Sequence, residues 1–234
     1  MPLGIFLKGY ISNFSYKNDT KISNKDAKSM GLSFLFHNLT LIFAVNGEQL
    51  LINIFDVQQV SAHLYKYFVI FTPIAFSVNG FLGFYLAPKI RKQNSMSIVG
   101  FKKLTKRIFI FTLPIIVLSV SFGIAYFKII LDIDFFNLDH NLIIVFVLLA
   151  IIRGVYIVCS VCLGVFGNLK HLKMAAIYTW IFTVLYIVSV IIILLYADIN
   201  NMAFLIAFAT MINWLFRLIV SNYFSRKAIL KLSN

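Results

Sequence analysis

Arg153 is the residue whose type and position most clearly suggest a chemical role in this chain. It falls at the middle of a long apolar segment, where insertion scales put the cost of a charge at roughly 2.5–3.5 kcal/mol. Tyr156, Ser160 and Gly164 continue the same helical face. A guanidinium in that setting can grip a phosphate or a carboxylate through two parallel hydrogen bonds. The alternative is a structural ion pair with Glu48, the only acidic residue deep in an apolar segment, and the two roles do not exclude each other.

Amide side chains form a stripe on the first apolar segment. Asn38, Asn46, Gln49 and Asn53 fall within an arc of roughly 80°, and Glu48 lies about 100° round from Gln49. Unpaired polar groups are costly in hydrocarbon, so such a stripe faces other helices or a water-filled cavity. With this many amide and carboxylate groups on one helix, we expect a wet cavity.

Shorter polar stripes follow on the later segments. Their members are Thr72 and Asn79 in the second segment, Thr179, Thr183 and Tyr186 in the fifth, and Thr210, Asn213 and Arg217 in the sixth. Hydrogen bonds between helices explain most single hydroxyls of this kind. Arg217 lies nearer a helix end, so we expect it to snorkel to the membrane interface. In the second segment, Pro73 and Gly80 can bend the helix.

The remaining reactive residue types lack the spacing that catalysis or metal binding needs. The four histidines show no ligand spacing, and no Ser-His-Asp, paired-carboxylate or glycine-rich phosphate loop occurs. Cys159 and Cys162 have a C-x-x-C spacing but lie within an apolar segment without companion ligands, so we expect them to pack as small apolar residues. The sequence therefore predicts no enzyme, no cofactor and no metal site. It favours passage of a polar or charged solute.

The elements that position these residues are long apolar segments. The chain is 61% hydrophobic and only 12% charged, and about twenty apolar residues suffice for a helix to cross the bilayer. The predicted fold is an all-α integral membrane bundle of about six transmembrane helices. The spans lie near residues 31–55, 67–86, 108–130, 142–166, 174–197 and 202–223. Residues 1–30 and 224–234 are then a cytoplasmic segment and tail flanking a lobe over residues 31–223, and an amphipathic stretch at 95–106 is expected along the inner interface.

The net charge of +13 is explained by topology. Most of the 21 basic residues fall in the two termini and in the loops after the second and fourth spans. The opposite loops carry Asp56, Asp132, Asp134, Asp139 and Asp198. By the positive-inside rule, both termini lie in the cytoplasm. A nucleic-acid-binding surface is not needed to explain the charge, and no nucleic acid is expected as a partner.

Several short motifs, taken in order, resemble a known transporter family. Residues 47–52 (GEQLLI) and 60–65 (VSAHLY) resemble the seventh-helix region of polysaccharide flippases of the Wzx type. Residues 86–90 (LAPKI) are similar to the exit of the eighth helix, and residues 111–114 (FTLP) to the proline-containing ninth helix. Residues 162–170 (CLGVFGNLK) resemble the end of the tenth helix and its basic turn. The superfamily also includes multidrug exporters and lipid II flippases.

The resemblance implies a transporter of two lobes, of which this chain is the C-terminal one. The implied cargo is an undecaprenyl-pyrophosphate-linked oligosaccharide for O-antigen or capsular polysaccharide synthesis, moved across the bacterial inner membrane by alternating access. Arg153, Tyr156, Asn79 and the amide stripe would contact this substrate, and Glu48 would bind a coupling cation. The implied partners are membrane lipids and an N-terminal lobe or a second copy. The alternatives are a lobe of a cation-coupled multidrug exporter and an inactive remnant or membrane scaffold.

Overall fold

Long apolar segments form helices because a backbone in hydrocarbon must satisfy its own hydrogen bonds. A computed structural model describes residues 24–92 and 96–233 of the chain. These ranges contain seven α-helices and no strand: α1 (Asn24–Ile54), α2 (Gln58–Phe71), α3 (Pro73–Arg91), α4 (Ile98–Ile130), α5 (His140–Phe166), α6 (Leu169–Tyr196) and α7 (Ile199–Ser233). A short 3-10 turn, Phe135–Asn137, precedes α5.

The predicted helical membrane bundle is confirmed. In the described ranges α4, α5, α6 and α7 are each long and apolar enough to cross a membrane, and α2 with α3 makes a fifth, broken span. The first predicted span lies on α1, where the side chains at positions 33, 34 and 37 are outside the described part of the chain. That span stays a prediction.

The second predicted span is not one straight helix. The chain bends by 60° between α2 and α3, in the first third of predicted span 67–86. Pro73 is the first residue of α3 and has no N–H to donate to the preceding turn, so the helix breaks there. Thr72 closes α2, since both its backbone N–H and its hydroxyl donate to the carbonyl of Phe68. The proline does bend the chain, as its position in the sequence indicates.

Helices α1, α2, α4 and α7 extend beyond the predicted spans, and α1 begins at Asn24, within the segment 1–30 that was predicted to precede the lobe. The stretch expected along the interface at 95–106 is, from Ile98 onward, the start of α4 itself, and the Ser97 hydroxyl caps it by accepting from the Gly100 N–H at 3.0 Å. Helix α7 continues through the residues predicted as a tail. It does so because Phe224, Ala228 and Ile229 are buried at helical spacing.

Helices α5 and α7 pack against each other along the centre of the bundle. Helices α3 and α4 flank α5, whereas α1 and α6 flank α7. Cys159 and Cys162 are buried as free thiols in an apolar cluster between α3, α5 and α7, which confirms their packing role. Large apolar side chains such as Phe84 and Ile129 remain exposed on the outer faces, as expected of surfaces that contact lipid.

The two ends of the bundle differ in charge. We call the end with Arg91, Lys103, Lys170 and Lys227 the basic end, and the end with Asp56, Asp132, Asp139 and Asp198 the acidic end. Asp56 and Asp132 follow α1 and α4 with φ of 53° and 52°. Aspartate tolerates this left-handed conformation better than most residues, so backbone geometry accounts for two of the acidic loop residues.

Candidate substrate-binding core

Glu48 is buried between three helices and is held by hydroxyl groups. The Tyr186 hydroxyl on α6 donates to Glu48 Oε2 at 2.8 Å. The same hydroxyl lies 3.2 Å from Thr210 Oγ1 on α7. This arrangement ties α1, α6 and α7 together at one level of the bundle. A buried carboxylate needs such partners because an unpaired one is costly in a low-dielectric interior.

A second level of contacts centres on Arg217, which is fully buried (0% exposed). Its Nη2 donates to the Thr40 carbonyl on α1 and to Thr183 Oγ1 on α6, the latter at 3.0 Å. The expectation that Arg217 snorkels to the interface is therefore wrong. Helix α7 runs sixteen residues past Arg217, about 24 Å at the helical rise, so the side chain turns inward to these acceptors.

Trp214 brings the second arginine into the same region. The guanidinium carbon of Arg153 lies 3.6 Å from the centroid of the Phe76 ring and 4.5 Å from that of Trp214. The guanidinium carbon of Arg217 is 5.8 Å from the Trp214 centroid. The indole N–H donates to the Ala44 carbonyl at 3.1 Å. Stacking on aromatic faces stabilises a cation that has left water.

The alternative role considered for Arg153, an ion pair with Glu48, does not occur in this conformation. The ion pairs of the described residues are His63 with Asp139 and Lys128 with Asp134. Arg153 and Glu48 attract each other electrostatically, but aromatic rings take the position beside the guanidinium. The carboxylate instead accepts its hydrogen bond from Tyr186.

A cavity of about 240 Å³ opens beside Glu48. Its polar wall comprises Asn46, Glu48, Gln49, Ser61, Tyr65 and Thr210. Phe68 and Phe146 contribute aromatic wall. A site of this size and polarity can hold several water molecules. A cavity therefore does lie beside part of the amide stripe, where α1 and α2 face α5 and α7, and its hydration stays a prediction.

The cavity takes only part of the predicted stripe. Asn46 and Gln49 line it, whereas Asn38 and Asn53 are exposed and lie outside its wall. Asn38 precedes Asn46 by two helical turns, about 12 Å along the axis, and Asn53 lies in the last turn of α1. Arg153 is not among the lining residues. Angular position on the helix was predicted from sequence, but depth along it decides which residues reach the cavity.

Asn79 contacts α5 at Gly154, the residue after Arg153, and Tyr156 shares Trp214 with the Arg153 guanidinium. Asn79 is buried, and within the described part of the chain its amide has no hydrogen-bond partner. It approaches Gly154, where an added Cβ would lie 3.4 Å from Asn79 Oδ1. Tyr156 is buried with its ring edge-on to Trp214, at a centroid distance of 5.4 Å. The structure thus gathers Arg153, Asn79 and Tyr156 around the contact of α3, α5 and α7.

Sequence reasoning missed Arg217, Trp214 and Tyr186 as members of this core. The signal was present, because the stripes through Tyr186 and through Arg217 were both visible as helical spacings. What the sequence could not show is that these stripes face each other and Thr40 across α1, α6 and α7. Trp214 gave no polar signal at all, since tryptophan is ordinary in an apolar segment.

Glu48 and Arg217 are the charged groups classed as buried in the described ranges, and the half-buried Arg153 joins them. The interior therefore carries more positive than negative formal charge, a setting that attracts an anion. No family model, no curated protein and no solved structure matches the chain. Its function must therefore be inferred from these charges and from the cavity.

Proposed function

We propose that this chain is one lobe of a transporter that flips a lipid-linked oligosaccharide, of the undecaprenyl-pyrophosphate type, across the bacterial inner membrane. The observation that carries the proposal is the pair of guanidinium groups at Trp214, against which the described residues set one buried carboxylate, that of Glu48. A diphosphate would balance the excess positive charge. It would also offer oxygens in the geometry that an arginine fork recognises.

The two arginines have different parts in this proposal. Arg217 is fully buried and its Nη2 is engaged by Thr40 and Thr183, so it adds positive charge beside Trp214. Arg153 is half-buried and its contacts are with ring faces. Its N–H groups are therefore the ones that can turn to phosphate oxygens while the aromatic contacts remain. Arg153 is the substrate-contacting residue.

The cavity beside Glu48 suits the sugar portion of such a substrate. The amides of Asn46 and Gln49 can donate to and accept from hydroxyl groups, and Tyr65 and Phe68 offer ring surfaces. Polar groups of this kind set orientation in a pocket whose remaining walls are apolar. A second lobe, either an N-terminal one or another copy of the chain, would cover this side and allow alternating access. Both termini would then face the cytoplasm.

Binding of the diphosphate is the first test. Purified protein in detergent is mixed with undecaprenyl pyrophosphate or with undecaprenol, which has the same chain but no phosphate, and its melting temperature is followed. We expect stabilisation by the diphosphate only, lost in Arg153→Gln and kept in Arg91→Gln, an exposed arginine at the basic end. Equal stabilisation of both variants would remove Arg153 from the site.

Flipping itself is tested by complementation of a flippase-null strain. The chain is expressed alone and with a separately encoded N-terminal lobe, and surface polysaccharide is measured. We expect rescue only when the cavity is covered by a second lobe, because polar walls facing lipid are unfavourable. The rescue should fail with Arg153→Ala. Rescue that is indifferent to Arg153→Ala would reject the role given to this residue, and an inactive scaffold would give no rescue at all.

A cation-coupled drug exporter is the second candidate, and the position of Glu48 favours it. Its carboxylate sits in the wall of a cavity that also presents Tyr65, Phe68 and Phe146, a combination suited to a cationic, aromatic compound. In that case Glu48→Gln should abolish resistance to such compounds, whereas Arg153→Gln should have little effect. The reverse pattern supports the flippase.

A further inference from the structure

A second cavity, of about 590 Å³, lies at the basic end between the start of α6 and the end of α7. Its wall includes Lys170, Lys227, Lys231 and His171, and among the described residues no acidic one lines it. All three ammonium groups act electrostatically on the His171 ring, which places them around one space. Like charges held together in this way repel, and an anion between them removes the repulsion.

The polar atoms of this cavity are not satisfied by one another. His171 Nδ1 is buried and, in the described ranges, has no hydrogen-bond partner. The Lys227 ammonium is 4.5 Å from the Tyr223 ring centroid, a contact that leaves its N–H groups able to bind an anion. None of the ion pairs among the described residues involves these lysines. Charged and polar atoms thus surround a space that no group in residues 24–92 and 96–233 neutralises.

The floor of the cavity is apolar and aromatic. Met174, Val220 and Phe224 contribute to its wall, and Phe224 contacts the rings of Tyr178 and Tyr223 at centroid distances of 6.0 and 5.1 Å. Tyrosines beside lysines at the end of a membrane helix are typical of the level of the lipid headgroups. A ligand that fits must therefore carry both a phosphate and apolar groups next to it.

We propose that this cavity binds the headgroup of an acidic phospholipid, with the phosphate between Lys170, Lys227 and Lys231 and the glycerol backbone against Phe224. Basic cavities between membrane helices bind acidic headgroups by this combination of charge and depth. The lipid joins α6 to α7 at the basic end. This site is separate from Arg153 and Glu48 and does not depend on the flippase proposal.

The test compares two sets of lysines. The protein is reconstituted into nanodiscs containing phosphatidylglycerol and phosphatidylcholine. The lipid that stays bound to the protein after its release is then measured by native mass spectrometry. The cavity variant carries Lys170→Gln, Lys227→Gln and Lys231→Gln. The control carries Lys92→Gln, Lys102→Gln and Lys106→Gln, which are exposed at the basic end and line neither this cavity nor the one beside Lys103. We expect roughly a hundredfold weaker retention of phosphatidylglycerol in the cavity variant, since each of the three lysines contributes about a factor of five. We expect little change in the control.

Circular dichroism and gel filtration show whether each variant is folded, and Lys227→Gln and Lys231→Gln are also measured singly in case the triple variant is not. Equal retention by the cavity variant and the control would overturn the proposal. Retention of phosphatidylcholine as strong as that of phosphatidylglycerol would do the same. Glycerol 3-phosphate is tested as a water-soluble ligand without acyl chains. If it binds as tightly as the lipid, the assignment to a phospholipid is overturned.

Discussion

Arg217 donates to Thr183 Oγ1 and to the Thr40 carbonyl. Its positive charge is therefore stabilised by neutral acceptors on two neighbouring helices and not by a carboxylate. Thr183 can accept from the arginine because its own proton goes to the Thr179 carbonyl at 2.8 Å. The hydroxyl is thus oriented before it meets the guanidinium. One threonine positions one arginine, and that arginine lies beside Trp214.

Replacing Thr183 by valine should destabilise the bundle. The shape is kept, but the buried guanidinium loses an acceptor, which we expect to cost about 1–2 kcal/mol in unfolding free energy. Ser189→Ala is the matched control, because Ser189 is exposed on the same helix and its hydroxyl donates to the Leu185 carbonyl of that helix. Unfolding in mixed detergent micelles measures both variants, and equal stabilities would show that Arg217 does not need this hydroxyl.

At the scale of elements, the end of α2, where the chain bends toward α3, packs closely on α4. Phe71 ends α2 and its ring stacks on Tyr67 and Phe127, at centroid distances of 5.9 and 5.7 Å. Opposite the ring stands Gly123, where an added Cβ would clash with the Phe71 ring atoms. The ring is buried and held by its neighbours, so it has little room to move away.

Gly123→Ala should therefore destabilise the protein by about 1–3 kcal/mol through overpacking. Gly164→Ala is the control, since nothing lies within 4 Å of the added methyl group there. In that exposed helical position alanine should be neutral or stabilising, because it is the better helix former by about 1 kcal/mol. Melting temperatures of the two variants in detergent measure the difference, and matching values would show that the α2–α4 contact is loose.

The elements were predictable from sequence to different degrees. Apolar length predicted α5 and α6 closely, but it missed the first ten residues of α4. Pro73 indicated the bend. The end of α7 was not predicted, because the charges at Lys227 and Lys231 conceal buried Ala228 and Ile229 between them. The site was predicted in part: periodicity gave the face of Asn46 and Gln49, but partners across helices such as Tyr186 and Thr183 depend on packing that spacing alone does not determine.

At the scale of the whole molecule, the separation of the basic end from the acidic end is the feature that sets orientation. Helix α4 connects the two, since Lys102 and Lys103 lie in its first turns and Asp132 and Asp134 follow its last. Basic residues are retained on the cytoplasmic side during insertion. The basic end should therefore face the cytoplasm.

Reporter fusions test this orientation. A fusion after Lys103 should report a cytoplasmic position and a fusion after Asp134 a periplasmic one, because a membrane-spanning stretch of α4 lies between them. Alkaline phosphatase and green fluorescent protein give opposite readouts for the two compartments. The same compartment for both positions would mean that α4 does not cross the membrane, and exchanged compartments would mean that the bundle is inverted.

The lengths of α4 and α7 have a consequence for where the protein sits in a bilayer. With 33 and 35 residues they measure about 50 Å, whereas the hydrocarbon layer is about 30 Å thick. Since the lysines lie at the start of α4 and at the end of α7, the surplus of both helices leaves the hydrocarbon on the same side. The two surplus ends make the protein sensitive to membrane thickness. In a thicker membrane their charged turns would come close to hydrocarbon, whereas in a thinner one apolar turns would be exposed to water. Membrane thickness is therefore a variable to which this fold must respond by tilting.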